Sequence, residues 1–320
     1  MAYYHCLLLD VDGTLMDFAA AEHKAFHETM SEFGLPATDE VEHTYHTINK
    51  GLWAALEKGQ IKRDKLVVRR FEELLAALGA AGDAARMNAF YLDRLSEHPD
   101  LMPGALEAVK ELSEVATLAV VTNGVEHVQE KRLKESGLGA YMDAVFISER
   151  LGVEKPNRRF FETALRSLGI ENRDKVLVVG DSLTADVKGG QNAGLDTCWF
   201  NWEGKEAPAE NGPTHTVRSW EELYAIVMEP DELENVGQTR RKHQFEQGGG
   251  DGSAKETERT WYYPYKTSEK ALARWWSLRA STPRWSRGNA LASWAKTAPA
   301  RPLCSRSSAA SISPTRGKCS

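Results

Sequence analysis

The sequence predicts an α/β fold, in which a doubly wound, Rossmann-like parallel sheet carries an inserted four-helix cap. Between residues 101 and 200, short apolar runs alternate with segments of helical period, which is typical of β-α-β units. Between residues 18 and 100, apolar residues recur only at helical spacing. Because a predicted strand precedes this helical stretch, the helices interrupt the α/β domain rather than follow it.

The first predicted element is a buried strand, HCLLL, that runs into the acidic turn DVDGTLMD. Four amphipathic helices follow it: AEHKAFHETMSEF, TYHTINKGLWAALEKG, KLVVRRFEELLAAL and DAARMNAFYLDRL. The later strands are predicted over residues 117–121, 144–147, 175–179 and 197–200. The helices between them are predicted over residues 105–113, 125–136, 158–168 and 185–193. Right-handed crossovers then place helices on both faces of the sheet.

These patterns divide the chain into a core of residues 1–17 and 101–228, a cap of residues 18–100, and a tail of residues 229–320. The tail holds 16 Lys and Arg against 9 Asp and Glu, a balance of +7. Since the whole chain carries −6, residues 1–228 carry −13. The tail shows neither a helical nor a strand period, so we expect a basic extension of low order. Its positive charge leaves one alternative open, that it tethers the chain to nucleic acid.

Composition excludes several functional classes. The apolar runs are far too short to cross a bilayer, and no charged-then-apolar segment opens the chain, so we expect a cytoplasmic protein with no membrane partner. The four cysteines form no CxxC pair, which favours reduced thiols over a zinc site or a disulfide framework. The acidic body argues against nucleic-acid binding, because a groove that follows a phosphate backbone needs clustered cations.

Four polar stretches stand at the ends of predicted strands, and the carboxyl ends of parallel strands meet at one edge of a sheet, where ligands bind. The stretches are Asp10-Val11-Asp12-Gly13-Thr14, Thr122-Asn123, Lys155-Pro156, and Gly180-Asp181-Ser182 with Asp186 close behind. Together they offer several carboxylates, a hydroxyl and a lysine. Crowded carboxylates repel one another unless a divalent cation neutralises them, and oxygen ligands select Mg²⁺.

Such a group of side chains suits phosphoryl transfer. The cation and Lys155 hold the phosphoryl oxygens while an Asp attacks phosphorus, which implies an aspartyl phosphate. Asp12, two residues beyond Asp10, can protonate the departing alkoxide and then deprotonate the water that clears the intermediate. Gly13 allows the backbone to turn sharply beside the ligand.

The motifs DxDGT, a strand ending in Thr-Asn, Lys-Pro and GDSLTAD resemble, in order and context, the four motifs of the haloacid dehalogenase superfamily. The resemblance extends over residues 1–228. It implies that Asp10 is the nucleophile and Asp12 the general acid and base. Asp12 favours a phosphatase or a phosphomutase, since the dehalogenases of the superfamily lack an acid/base Asp at this position.

The resemblance also implies the binding residues. Three side chains are implied to bind phosphate: Thr122, Asn123 and Lys155. Three residues are implied to bind Mg²⁺: Asp10, Asp12 through its carbonyl, and Asp181. Asp186 is implied to steady the metal-bound waters or Lys155. An Asp at the start of a helix is also a good N-cap, which is the structural alternative for Asp186.

The inserted helices resemble a class I cap, and the stretch GDSLTADVKGGQNAGLDTCWFN resembles the pyrimidine and noncanonical nucleotide 5'-nucleotidases. The implied substrate is a small phosphorylated metabolite, a nucleoside 5'-monophosphate. Three alternatives stay open: a phosphatase of phosphoglycolate or a sugar phosphate, a phosphomutase, and a nonenzymatic binding module on the same fold. Intact Asp10, Asp12, Asp181 and Lys155 disfavour the binding module, which gains nothing from several repelling carboxylates.

Other residues have structural explanations that compete with functional ones. His43 and His46 stand three apart on a cap helix, but no further metal ligands lie near them in the sequence, so we expect surface histidines. Four cap aromatics could stack a nucleobase or fill the bundle core: Phe18, Phe26, Trp53 and Tyr91. Gly189, Gly190 and Gly194 are better explained by close helix packing than by a phosphate loop.

Overall fold

A computed structural model describes residues 2–208 and 210–228 of the chain. Its centre is a parallel sheet of six strands in the order β3-β2-β1-β4-β5-β6. The strands are β1 (Cys6–Leu9), β2 (Thr117–Thr122), β3 (Ala144–Ile147), β4 (Val176–Gly180), β5 (Asp196–Phe200) and β6 (His215–Val217). The order reverses direction beside β1, which makes the carboxyl end of β1 the switch point of a doubly wound fold.

The side chains of β1 alternate between two hydrophobic cores, one on each face of the sheet. Leu7 and Leu9 belong to the core that also holds Trp220 of the last helix. Cys6 and Leu8 belong to the opposite core, which Phe160 and other residues of a covering helix complete. Because both faces are covered, β1 is apolar at every position rather than at every second one, as the HCLLL run indicated.

Ten α-helices accompany the strands in the described part of the chain. They are α1 (Phe18–Glu32), α2 (Asp39–Glu57), α3 (Arg63–Leu78), α4 (Ala84–Ser96), α5 (Ala105–Leu112), α6 (Glu126–Glu135), α7 (Ser148–Leu151), α8 (Arg158–Leu168), α9 (Lys188–Asn192) and α10 (Trp220–Met228). The predicted α/β class and the four-helix cap are thereby confirmed. The helix predicted over residues 185–193 begins instead as a π-helical turn, Leu183–Val187, that leads into α9.

Among the strands and α-helices, three were not predicted: β6, α7 and α10. The strand β6 has three residues and lies at the sheet edge, so its period is too short to recognise. The helix α10 does have a sequence signal: Ser219 precedes it and accepts a hydrogen bond from the backbone N–H of Glu222. Its buried residues Leu223 and Ile226 also follow helical spacing.

The cap helices α1 to α4 pack around a core of aromatic rings. Phe26 and Tyr45 have ring centroids 4.7 Å apart, and Phe71 and Tyr91 have centroids 5.5 Å apart. The guanidinium of Arg70 lies over the Tyr91 ring at 4.4 Å. Phe26 and Tyr91 are fully buried there, so for these two residues core packing, rather than base stacking, explains the aromatic pattern.

Two chain segments connect the cap to the core, and they run side by side. The backbone N–H of Asp17 donates to the carbonyl of Asp100 at 3.0 Å, and that of Met102 donates to the carbonyl of Leu15 at 3.1 Å. Between these bonds, Met16 and Leu101 form an antiparallel bridge. The α1 helix then begins with the Asp17 side chain accepting from the Ala20 backbone N–H.

The structure describes two of the four cysteines. Cys6 and Cys198 are buried and form no disulfide. Within residues 2–208 and 210–228, none of the helices combines the length and the apolarity that a bilayer crossing requires. The other two cysteines and the tail predicted over residues 229–320 lie outside the described residues.

The glycines of α9 allow the helix to approach the sheet closely. A Cβ on Gly190 would lie 2.5 Å from Cγ2 of Thr197 and 3.0 Å from Cγ2 of Val178. A Cβ on Gly189 would lie 2.5 Å from Cε2 of Phe161. Helix packing therefore explains both glycines.

We expect Gly190→Ala to lower the free energy of unfolding by about 1–3 kcal/mol, because the added methyl overpacks the contact with β4 and β5. Urea unfolding followed by circular dichroism measures this. The matched control is Gly51→Ala in α2, where a Cβ meets no atom within 4 Å and removal of a helical glycine should stabilise by about 0.5–1 kcal/mol. Equal stability of Gly190→Ala and the parent would contradict the packing argument.

Candidate active site

Polar side chains from four strand ends meet at the carboxyl edge of the sheet. Asp10 follows β1, whose last residue Leu9 lies beside Val120 of β2 and Val179 of β4. This central register places Asp10 between the ends of the two neighbouring strands. Its backbone N–H continues the ladder by donating to the Val179 carbonyl at 2.9 Å.

Lys155 connects the acidic residues of the site. Its Nζ donates to Oδ1 of Asp10 at 2.6 Å, to Oδ1 of Asp186 at 2.6 Å, and to the carbonyl of Val121 at 2.8 Å. An ammonium group has three N–H donors, so these contacts satisfy all of them. The lysine is 2% exposed, and a buried cation of this kind depends on its paired carboxylates.

The carboxylates perturb one another. Burial raises the pKa of Asp10 well above its ordinary value and repulsion from Asp186 and Asp181 adds to this, although Lys155 opposes the shift. Loss of solvation raises the pKa of Asp181 to about 7, and repulsion from Asp186 adds to this shift, although part of the residue is open to solvent. Burial alone would lower the pKa of Lys155, but Asp10 and Asp186 outweigh it and raise the pKa.

The loop after β1 and the loop after β4 lie against each other. Gly13 has a φ of +84°, and a Cβ there would lie 2.5 Å from Oδ2 of Asp181. Both the left-handed backbone and the lack of space therefore require glycine. The backbone N–H of Asp181 donates to Oγ1 of Thr14 at 3.0 Å, which couples the two loops.

Two tryptophans also contact these loops: Trp199 lies within β5, and Trp202 lies just after it. Trp199 Nε1 donates to the carbonyl of Asp181 at 2.8 Å, and Trp202 Nε1 donates to the carbonyl of Gly13 at 3.1 Å. An indole N–H has one direction of donation, so each ring fixes the position of the carbonyl that it contacts.

Asp186 sits inside the π-helical turn that follows β4. Its Oδ1 accepts from Lys155, and its Oδ2 accepts from the backbone N–H of Ser182 at 3.1 Å. The N-cap side chain of this turn is Ser182, whose Oγ accepts from the Ala185 backbone N–H. Asp186 therefore contacts Lys155 and is not the side chain that caps the turn, while its role at the site stays a prediction.

The second motif supports the lysine loop. Asn123 donates through Nδ2 to the carbonyl of Lys155 and accepts through Oδ1 from its backbone N–H, both at 2.9 Å. This pair fixes the loop from which the Lys155 side chain extends. Thr122 is buried, and its Oγ1 accepts from the Gly124 backbone N–H at 3.0 Å. The phosphate-binding roles of Thr122 and Asn123 stay predictions.

Asp12 points toward α6 rather than toward Lys155. Its Oδ1 accepts from Nη1 of Arg132 at 2.6 Å, and its Oδ2 accepts from Nε2 of Gln129. Arg132 is fully buried, and its Nε donates to the carbonyl of His98, just beyond the end of α4. Residues on one face of α6 therefore fix the position of Asp12. The same helix is hydrogen-bonded to the segment that leads out of the cap.

These residues fit a divalent cation. Oxygen atoms of Asp10, Asp181 and Asp186 lie within 4.8 Å of one another. Ionised Asp10, Asp181 and Asp186 together with Lys155 carry a formal charge of −2 to be neutralised. Hard oxygen donors and this charge suit Mg²⁺. Because Lys155 and Ser182 already occupy both oxygens of Asp186, Asp10 and Asp181 are the carboxylates better placed for direct contact.

The haloacid dehalogenase-like hydrolase family matches residues 4–194. The chain belongs to this family. The range begins two residues before β1 and ends two residues after α9, and so includes all four motifs and the cap.

Similar proteins and a similar solved structure agree with this. The HAD-hydrolase YfnB of Bacillus subtilis is 41% identical over 227 residues, which cover 71% of this chain and 97% of YfnB. The pyrimidine 5'-nucleotidases PynA of Streptococcus pneumoniae and YjjG of Escherichia coli are 36% and 34% identical; both matches cover 69% of this chain, and 94% and 96% of those proteins. The crystal structure of YfnB bound to magnesium has a TM-score of 0.67 over 70% of this chain and 98% of that one.

The family membership confirms the resemblance to the superfamily and to its nucleotidase branch, and the prediction of an enzyme of the phosphoric monoester hydrolase class. Four residues at the site were not predicted from the sequence: Gln129, Arg132, Trp199 and Trp202 as hydrogen-bond donors. A signal existed for the first two. They stand three apart on the helix directly after the Thr-Asn motif, and such residues share one helix face.

We expect Arg132→Met to lower kcat about 10- to 100-fold with little change in KM, because Arg132 contacts Asp12 and not the predicted phosphate-binding side chains. Steady-state kinetics with a phosphomonoester measures both parameters. Arg132→Lys, which keeps the charge, should restore part of kcat.

Lys131→Met on the same helix is the matched control, since Lys131 pairs with Glu97 rather than with Asp12. A positioning role for Arg132 is excluded if kcat stays at the parent value, or if Lys131→Met lowers it equally.

Proposed function

We propose that the chain is a Mg²⁺-dependent phosphatase that hydrolyses nucleoside 5'-monophosphates through a phosphorylated Asp10. The observation that carries this proposal is the contact of buried Lys155 with both Asp10 and Asp186. It holds one carboxylate at the centre of the sheet edge, in a fixed direction and next to a positive charge. Such an arrangement suits an in-line attack on a phosphoryl group, whose negative oxygens need a cation beside the nucleophile.

In the first half-reaction an Asp10 oxygen attacks phosphorus and the bond between phosphorus and the ester oxygen breaks. Asp12 supplies a proton to the departing alkoxide, so the alcohol leaves neutral and Asp10 carries the phosphoryl group. Lys155 compensates the charge of the phosphoryl oxygens. Its loop is held for this purpose by Asn123.

In the second half-reaction a water molecule attacks the phosphorus of the aspartyl phosphate. Asp12, now a carboxylate, accepts the proton of that water, and the bond between Asp10 and phosphorus breaks. Inorganic phosphate leaves, and Asp10 returns to its starting state. Arg132 and Gln129 support both half-reactions through Asp12, because they hold its carboxylate in one orientation.

Asp10, Asp181 and the carbonyl of Asp12 are the residues that we propose to hold Mg²⁺, with Asp186 outside them. When bound, Mg²⁺ neutralises the crowded carboxylates and the phosphoryl oxygens. The fit of the donor set and the magnesium in the crystal structure of YfnB support this assignment.

The cap of residues 18–100 is proposed to close over the site and to select the leaving group. The paired connections at Leu15 to Asp17 and residues 100–102 form a narrow junction suited to hinge motion, and the YfnB crystal structure reveals interdomain movement. The substrate class comes from the two similar pyrimidine 5'-nucleotidases, PynA and YjjG. Pyrimidine nucleotides are therefore the first candidates. The domain limits and the cytoplasmic location stay predictions.

Release of inorganic phosphate from a panel of phosphomonoesters tests the proposal. We expect kcat/KM for UMP and dTMP to exceed that for sugar phosphates and phosphoglycolate by about tenfold or more. Asp10→Asn should lower kcat on the order of 10³-fold, because the amide is a poor nucleophile. Asp174→Asn, the same change at an exposed position before β4, should leave kcat at the parent value.

If the enzyme prefers sugar phosphates but its activity still requires Asp10, only the assignment of nucleotides as substrates is wrong. Near-parent activity of Asp10→Asn would remove the covalent mechanism.

Chelation tests the metal. EDTA should abolish phosphate release, and excess Mg²⁺ should restore it. Asp181→Asn should raise the Mg²⁺ concentration for half-maximal activity by about tenfold or more, whereas Asp174→Asn should leave it unchanged. Full activity in EDTA would contradict the metal dependence, and an unchanged Mg²⁺ requirement of Asp181→Asn would contradict the assigned ligand.

A further inference from the structure

A second group of metal-ligating side chains lies in the cap, between α1 and α2. His23 and His27 stand one turn apart on α1, and Glu42 and His46 stand one turn apart on α2. Each pair therefore projects from one face of its helix, and the two faces meet. None of these four residues belongs to the site at the sheet edge. We name them the cap histidine cluster.

Glu42 lies at the centre of the cap histidine cluster. Nδ1 of His23 donates to its Oε1 at 2.8 Å, and Nε2 of His27 donates to its Oε2 at 3.1 Å. Nε2 of His46 lies 3.3 Å from Oε1 of the same carboxylate. Three imidazole nitrogens thus point at one carboxylate from two helices.

A buried carboxylate orients His46 from behind. Oε2 of Glu22 lies 3.0 Å from Nδ1 of His46, and its Oε1 accepts from Nδ2 of Asn49 at 2.8 Å. The Glu22 side chain is 7% exposed, so its position is fixed by the bundle. A carboxylate on one imidazole nitrogen directs the other nitrogen toward a metal and increases its basicity, which is the usual support of a histidine ligand.

We propose that the cap histidine cluster binds Zn²⁺ through His23, His27, Glu42 and His46. Zinc bonds of about 2.0–2.2 Å place neighbouring ligand atoms of a tetrahedral site roughly 3.3–3.6 Å apart. Ligand atoms of His23, His27 and Glu42 lie within 4.8 Å of one another, and Nε2 of His46 lies 3.3 Å from Oε1 of Glu42, so binding requires these side chains to rotate until their nitrogens face one ion. Imidazole and carboxylate donors suit Zn²⁺, whereas the all-oxygen site at the sheet edge suits Mg²⁺.

The metal would join α1 to α2. These helices also meet through the cap core, the Glu42 contacts of the cluster, and the contacts of Glu22 with Asn49 and His46. The side chain of His23 is 57% exposed, so an ion can enter from solvent without opening the bundle. From the sequence His46 is predicted to be a surface histidine, because two of the ligands proposed to join it, His23 and His27, stand about twenty residues away on another helix.

Zinc titration of the full chain in excess Mg²⁺ tests the proposal, because Mg²⁺ occupies the oxygen site while Zn²⁺ competes for nitrogen ligands. We expect the parent to show a saturable zinc-dependent rise in Tm that His23→Ala/His27→Ala loses. Co²⁺ in place of Zn²⁺ should give the parent visible absorption bands of a tetrahedral nitrogen-ligated ion, and these should disappear in the same variant.

His43→Ala is the matched control, because His43 lies on α2 but is exposed and outside the cluster. It should retain the Tm rise and the Co²⁺ bands. The single variant His23→Ala serves if the double variant does not fold, since most of that side chain is in solvent. Unchanged zinc binding in the His23 and His27 variants, or equal loss in His43→Ala, would overturn the proposal.

Discussion

The contact between one buried lysine and two buried carboxylates is the constraint on which the site depends. Asp10, Asp186 and Asp181 converge at the end of a central strand, and without a cation between them their repulsion would prevent all three from being charged at once. Lys155 relieves part of that repulsion, and a divalent ion is suited to relieve the rest. The burial that makes the charges costly in isolation also makes their interaction with a phosphoryl group strong, because little water competes for it.

The surrounding structure keeps these charged groups in place mainly through backbone contacts. Asn123 pairs with both backbone groups of Lys155, and Thr14 receives the N–H of Asp181. Trp199 and Trp202 hold the carbonyls of the two acidic loops. None of these side chains needs to touch substrate to affect catalysis, since each determines where a charged neighbour can be. The site is therefore preorganised by hydrogen bonds that extend well beyond the motif residues.

The cap adds a different kind of chemistry to the same chain. Its core is a cluster of aromatic rings, while its α1–α2 surface collects imidazoles around one carboxylate. Arg132 connects the cap to the site at the sheet edge, because it donates to Asp12 and also to the carbonyl of His98, near the end of α4. The orientation of Asp12, the proposed general acid and base, is thus linked by direct contacts to the segment that joins the cap to the core.

The sequence alone determined the α/β class, the place of the cap and the meeting of Asp10, Lys155, Asp181 and Asp186. Each of these follows from local information, since a hydrophobic period identifies an element and parallel strands bring their carboxyl ends to one edge. Only the tertiary structure decided that Arg132 and Gln129 hold Asp12, and that His23 and His27 of α1 meet Glu42 of α2. These contacts join helix faces far apart in the chain, and their geometry depends on how the helices pack, which no local period specifies.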